Sequence, residues 1–159
     1  MPNVKQITAL CAVFLVGCGS GKTPEPDLDL VPVTGMVTLN GEPLADAEIS
    51  FLFDGKPPAG FAASGAKSDS SGKFVVMTGS KPGTCPGRYR ITISRWRMPD
   101  GSPVKADPES GMDLEMLRQS GQLKQTVPDR YSNPDRTELS ASISDSEDDE
   151  PLELKLTGT

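Results

Sequence analysis

The chain has 159 residues, with 16 basic and 22 acidic side chains and a formal net charge of −6. This length is enough for one domain with a buried core. There is no histidine, which excludes Ser-His-Asp and Cys-His catalysis, histidine-ligated zinc or iron, and imidazole acid–base chemistry. The acidic balance argues against nucleic acid as a partner, because phosphate binding needs a basic surface.

Residues 1–17 have the layout of a secretory signal peptide. Lys5 and the amino terminus form a short positive region, and an apolar stretch follows at residues 7–15. The stretch is too short to cross a hydrocarbon core of roughly 30 Å, for which a helix needs about 20 residues. A buried core helix is the alternative, but Gly19-Ser20-Gly21 follow almost at once and disfavour a helix. We therefore expect residues 1–17 to be removed.

Leu15-Val16-Gly17-Cys18 resembles the bacterial lipobox, in which small residues precede a cysteine that becomes lipidated. The resemblance implies cleavage between Gly17 and Cys18 and diacylation of the Cys18 thiol. Two or three acyl chains anchor a protein stably, whereas one chain is marginal. The expected location is the bacterial cell envelope, with the lipid on Cys18 in the outer membrane or on a periplasmic face.

Processing would leave 142 residues with 15 basic and 22 acidic side chains, a formal charge of −7. Of the three cysteines, Cys11 leaves with the signal and Cys18 carries lipid, so Cys85 has no intramolecular disulfide partner. Two interpretations of Cys85 remain. It is either an exposed thiol, reactive or bridging to another chain, or an incidental small residue in a loop, and we favour the second.

The segment 18–32 holds three prolines among acidic residues and is interpreted as a flexible tether behind the lipidated cysteine. After it, apolar and polar side chains alternate with period 2 between turn signals, which predicts strands. We expect about seven, at 33–39, 47–53, 61–67, 73–78, 87–94, 139–143 and 152–156. With no crossover helix in the pattern, the prediction is an all-β fold, a single antiparallel Greek-key β-sandwich over residues 33–159.

Turns and inward faces follow from the same pattern. Asn40-Gly41 predicts a type I′ hairpin turn, and Asp69 with Gly72 predicts a tight turn held by the Asp side chain. The strand at 73–78 is expected to be mostly buried. The other inward side chains are expected at alternating positions: Val37, Leu39, Ala47, Ile49, Phe51, Phe53, Tyr89, Ile91 and Ile93.

A long irregular insertion is predicted at residues 98–126, which are polar and rich in Pro, Gly and Asp. Residues 113–118 can form one or two helical turns within it. An insertion of this length without regular structure is unusual, and is either functional or merely mobile.

Three stretches, at 33–47, 68–74 and 82–93, resemble carboxypeptidase regulatory-like domains. They match the family's first hairpin, its "T-D-x-x-G-x-F" turn and its "P-G-x-Y-x-V-x-V" strand, while residues 127–139 resemble a tail in some small bacterial lipoproteins. The resemblance implies a transthyretin-like β-sandwich, and the segment 98–126 departs from the compact form. It also implies an accessory module without catalytic residues or cofactor, since enzymes of this fold need histidines that the chain lacks.

Two segments are weighed as sites. Trp96 lies among four arginines, and this candidate binding patch would hold an anionic glycan or a partner's carboxylate by stacking and forked hydrogen bonds. It consists of Arg88, Arg90, Arg95, Trp96 and Arg97. The alternative, which we favour, is a solvated strand face whose arginine stems cover Trp96.

The acidic run 145–150 lacks the ligand spacing of a calcium loop, so a solvated loop is favoured and no metal is expected.

The sequence thus predicts a lipid-anchored, non-catalytic β-sandwich of the cell envelope, with a structural role or one in binding proteins or glycans. A small-molecule or carbohydrate carrier that uses Trp96 and the 98–126 insertion is the alternative. A hydrolase dependent on carboxylates alone is a less favoured third.

Overall fold

The computed structural model describes residues 28–104, 114–145 and 150–158. The predicted signal peptide, Gly17, Cys18, most of the tether and part of the acidic run lie outside the described residues. Within these ranges the chain is mostly strand, as predicted, with two short helices. The strands are β1 Thr34–Leu39, β2 Glu42–Pro43, β3 Glu48–Phe53, β4 Ser64–Lys67, β5 Lys73–Val75, β6 Met77–Thr78, β7 Lys81–Pro82, β8 Gly87–Ser94, β9 Trp96–Arg97, β10 Lys124–Gln125, β11 Ser140–Ile143 and β12 Leu152–Leu156; the helices are α1 Leu114–Gln119 and α2 Asp129–Ser132.

Two sheets enclose one core, which confirms the predicted β-sandwich. The larger sheet is antiparallel, in the order β11-β8-β3-β4-β6-β7, and the smaller one has the order β12-β1-β2 with β5 also paired to β1. A separate ribbon pairs β9 with β10. Apolar side chains from both sheets form a single buried cluster that includes Val37, Leu154, Ile49 and Ile91. Burial of this kind is the main favourable term in folding.

One pairing departs from a wholly antiparallel sandwich. Strand β12 runs parallel to β1, with Val37 opposite Leu154 and Leu39 opposite Leu156. Strand β12 follows β11, which belongs to the other sheet, so no hairpin turn sets its direction beside β1. The register places Val37 and Leu154 on the same buried face, as side-chain alternation requires.

The inward faces of β1, β3 and β8 are confirmed, but the strand at 73–78 is not mostly buried. Phe74 and Val76 lie in the core, whereas Val75 is 51% and Met77 36% exposed. The chain changes sheets here, since β5 pairs with β1 and β6 pairs with β4. The Val76 N–H donates to Val33 O at 2.9 Å between them. Only alternate side chains therefore reach the core.

Both predicted turns are present. Asn40 and Gly41 have φ of 55° and 87°, the positive values of a type I′ turn. The Asp69 carboxylate accepts hydrogen bonds from the Ser71 N–H at 2.8 Å and the Lys73 N–H at 2.9 Å. Together with the Ser71 hydroxyl, the largest contributor, they lower the pKa of Asp69.

A buried polar network lies beside the start of β8. The Tyr89 hydroxyl donates to Cys85 O at 2.7 Å and lies 2.9 Å from Thr84 Oγ1, which in turn donates to Ser64 Oγ at 2.8 Å. The Thr84 backbone also exchanges two hydrogen bonds with Val31, at 2.9 and 3.0 Å. Val31 is buried in the core cluster, so the last residues of the predicted tether belong to the folded body.

Cys85 is a buried residue, 2% exposed, and not an exposed thiol. Burial, with a smaller contribution from the nearby Asp29 carboxylate, raises the pKa of the Cys85 thiol. A raised pKa and poor access both suppress thiolate chemistry.

Gly72 and Gly41 provide a matched test of the turns. Both have positive φ, but a Cβ at Gly72 would lie 2.5 Å from Val37 O, whereas one at Gly41 meets nothing within 4 Å. We expect Gly41→Ala to lower the free energy of unfolding by about 1 kcal/mol, the cost of the left-handed conformation, and Gly72→Ala to lower it clearly more. Urea denaturation measures both, and equal losses would contradict this packing.

Thiol labelling tests the burial of Cys85. In a chain with Cys11→Ser and Cys18→Ser, Cys85 is the sole thiol. We expect a thiol reagent to modify the native protein at least tenfold more slowly than the urea-unfolded chain, because labelling requires the thiolate and access to it. Equal rates in the two states would show that the side chain is open to solvent.

Candidate functional site

The ribbon of β9 and β10 joins the two ends of the insertion. Trp96 lies opposite Gln125, and Arg97 lies opposite Lys124. The Gln125 side-chain oxygen accepts hydrogen bonds from the N–H groups of Arg95 at 2.8 Å and Thr126 at 3.0 Å. Residues 105–113 lie outside the described structure, but the flanking parts of the insertion are tied to each other and are not wholly irregular.

Helix α1, close to the predicted helical turns, packs on Trp96. The Arg118 guanidinium lies 4.7 Å from the centre of the indole ring, a cation–π contact, and Arg118 also pairs with Glu115 at 3.2 Å. The indole Nε1 of Trp96 is buried and has no hydrogen-bond partner among the described residues. A buried N–H without a partner costs free energy.

Arg97 links the ribbon to the turn between β2 and β3. Its guanidinium donates to Asp46 Oδ2 at 3.0 Å and to Ala45 O at 3.3 Å, and its side chain is only 13% exposed. Asp46 also lies 3.9 Å from Lys67 Nζ. Asp46 has a φ of +57°, a conformation that Asp tolerates better than most residues. The Asp46 carboxylate therefore fixes Arg97 and lies close to Lys67.

These groups line a small cleft of about 110 Å³. Its polar lining comes from Asp46, Glu48, Lys67 and Arg97, and its apolar lining from Trp96, Pro103 and Val104. The register explains the assembly, because Glu48 of β3 lies opposite Lys67 of β4 and also opposite Ser94 at the end of β8. The cleft therefore lies where three strands of the larger sheet end, beside β9.

The structure divides the predicted patch. Trp96 and Arg97 line the cleft, and Arg95 lies behind it, its Nε donating to Thr126 Oγ1 at 2.7 Å. Burial, and secondly the charge of Arg97, lower the pKa of Arg95.

Arg88 and Arg90 lie instead on the exposed face of β8. Arg88 is 3.8 Å from Asp54, and Arg90 donates to Pro134 O at 3.0 Å. Arg88 and Trp96 are eight positions apart along nearly extended chain, on the order of 25 Å, so the five predicted residues do not form one surface.

Sequence reasoning missed Asp46, Glu48, Lys67 and Arg118. These four residues are far from Trp96 in the sequence. Strand pairing places Glu48 beside Lys67, and the path of the insertion returns Arg118 to the Trp96 ring. A weak signal was available in Glu48 and Lys67, opposite charges at the ends of neighbouring predicted strands, which is a common cross-strand pair.

The described residues contain neither a metal-binding cluster nor a membrane-spanning helix. No group of three or more His, Cys, Asp or Glu side chains in these ranges is placed to hold a metal ion. No helix in them is long and apolar enough to cross a membrane.

Comparison with known proteins identifies no family. A scan against protein-family models, a search of curated proteins and a search of solved structures each returned no match. The resemblances noted in the sequence therefore stay predictions.

Arg97 and Arg88 offer a matched pair for testing the cleft. We expect Arg97→Ala to lower the free energy of unfolding by about 1–2 kcal/mol, because the side chain of Arg97, 13% exposed, loses its packing and its hydrogen bonds to the half-exposed Asp46 carboxylate and to Ala45 O. Arg88→Ala removes an exposed pair and should change it by less than about 0.5 kcal/mol. Denaturant unfolding of both variants checks this, and similar losses would count against the arrangement at Arg97.

Proposed function

We propose that the protein is a lipid-anchored, non-catalytic β-sandwich module of the bacterial cell envelope, attached through lipid on Cys18. Its role is structural or lies in binding an envelope protein or glycan. The observation that carries the proposal is the junction at Val31, where the chain that follows the lipobox joins the core through paired backbone hydrogen bonds to Thr84. A lipid on Cys18 therefore restrains the folded body itself.

The position of the junction suits such a role. Twelve residues lie between Cys18 and Val31, and the thirteen Cα–Cα steps span at most about 45 Å. The junction lies beside Cys85 and the start of β8, whereas Glu48 and Ser94 mark the opposite end of the β3–β8 pair. Five residues of strand, on the order of 17 Å, separate the two ends. An anchor at one end leaves the Trp96 cleft at the other end.

The environment of the hydroxyl and thiol side chains supports a non-catalytic role. Ser64, Thr84, Cys85 and Tyr89 lie close together, but all four are buried. Their oxygen atoms are hydrogen-bonded to one another. A nucleophile needs a neighbouring base and access to substrate, and burial of these four side chains restricts that access. The network stabilises the core.

A carrier of a small molecule or carbohydrate is the second candidate. The observation that favours it is the packing of α1 on Trp96, with the Arg118 guanidinium 4.7 Å from the indole centre. The insertion thus forms structure around the only tryptophan of the chain. A carrier requires that this cleft bind a soluble ligand, whereas a structural module does not.

Mass spectrometry of the mature amino terminus tests the anchor. In a bacterial host that processes lipoproteins, we expect the chain to begin at Cys18 and to carry a diacylglyceryl group. Cys18→Ala should stay unlipidated and leave the membrane fraction, because neither the thiol nor the lipid is present. Cys85→Ala is the matched control and should be lipidated normally. An unmodified wild-type chain that still begins at Met1 would contradict the proposal.

A further inference from the structure

We propose that the Trp96 cleft binds one neutral sugar ring. The inference deepens the glycan-binding role and rests on the proposed function for the source of that glycan. The cleft consists of an aromatic and apolar wall, a balanced set of charges and one carboxylate that has no partner among the described residues. Each of these features constrains the chemistry of the ligand.

The wall of the cleft suits the C–H face of a sugar. Trp96, Pro103 and Val104 supply the apolar lining. Arg118 lies over one face of the indole and is not among the residues that line the cleft. Binding sites for small molecules commonly combine such apolar walls with a few placed polar groups.

The charges of the lining favour a neutral ligand. Asp46 and Glu48 oppose Lys67 and Arg97, so the four formal charges cancel. Arg97 is engaged by Asp46 at 3.0 Å, and Lys67 lies 3.9 Å from the same carboxylate, so neither is an unpaired cation. Arg118, which lies over the indole, is likewise paired with Glu115. An anionic ligand would approach two carboxylates without gaining an unpaired cation.

Glu48 is the group left to recognise the ligand. Its side chain is exposed, and among the described residues it has no hydrogen-bond or ion-pair partner, unlike Asp46. A carboxylate is an acceptor only, and it forms stronger hydrogen bonds than a neutral oxygen. Hydroxyl groups are the donors that a neutral sugar offers, and Glu48 can accept two of them.

The size of the cleft limits the ligand to one ring. Its volume of about 110 Å³ is well below the roughly 300–1,000 Å³ of sites that enclose a drug-sized molecule. The ligand is therefore a terminal or single sugar residue, with any remaining chain in solvent. A ring of about a dozen non-hydrogen atoms, bound with ordinary ligand efficiency, gives a Kd on the order of 1 mM.

Trp96 is the only tryptophan in the chain, so its fluorescence reports on this cleft. The lipidated protein, held in a detergent without a sugar headgroup, is titrated with glucose, galactose, mannose and their N-acetylamino forms. Each hexose is compared with its uronic acid and its amino sugar, which keep the ring and change the charge. Saturation-transfer NMR provides a second measurement of the same binding.

We expect at least one neutral sugar to shift the fluorescence saturably, and its uronic acid to bind at least tenfold more weakly. Glu48→Gln should weaken the neutral sugar about fivefold, because a neutral acceptor replaces a charged one. Glu42→Gln on β2 is the matched control, the same change at an exposed glutamate outside the cleft, and should leave binding unchanged.

Other results overturn the inference. Tighter binding of the uronic acid would show an anion site, and binding of the amino sugars alone would show a cation site. No neutral sugar bound in either measurement, or equal binding by the wild type and Glu48→Gln, would also refute it. These failures are distinct from failure of the anchor, since the mass of the mature amino terminus does not depend on the cleft.

Discussion

The pairing of β3 with β8 is the constraint on which the rest of the structure depends. Its register sets Ile49 opposite Ile93, Phe51 opposite Ile91 and Phe53 opposite Tyr89, so the largest core side chains share one face. The Tyr89 ring meets Phe51 and Phe53 edge-on at 5.8 and 5.0 Å, a favoured aromatic geometry. A slip of one residue would turn this whole set away from the core.

Both ends of this pair determine what lies around them. At one end the Tyr89 hydroxyl holds Cys85 O and contacts Thr84, whose backbone pairs with Val31. At the other end the same register brings Glu48 beside Lys67 and Ser94, from which the chain continues into β9. The junction at Val31 and the Trp96 cleft are therefore consequences of one pairing, placed at opposite ends of it.

Local chemistry made much of the fold predictable. The Asn40-Gly41 and Asp69–Gly72 turns depend on residues within four positions of each other, and alternation along β1, β3 and β8 depends on the pleat alone.

The candidate site was less predictable from the sequence. Residue type points to Trp96 and Arg97, which line one cleft, but nearness in sequence does not bring Arg88 and Arg90 to it, because side chains along an extended strand soon diverge in space.

The sequence by itself determined the main strands, the inward faces of β1, β3 and β8, the two tight turns and the absence of histidine chemistry, because each depends on residue type or local spacing. Only the tertiary structure decided the parallel pairing of β12 with β1, the change of sheets at Val76 and the burial of Cys85. It also decided that Asp46, Lys67 and Arg118 meet around Trp96. Contacts between residues so far apart in sequence arise from sheet register and from the path of the insertion, neither of which leaves a local pattern.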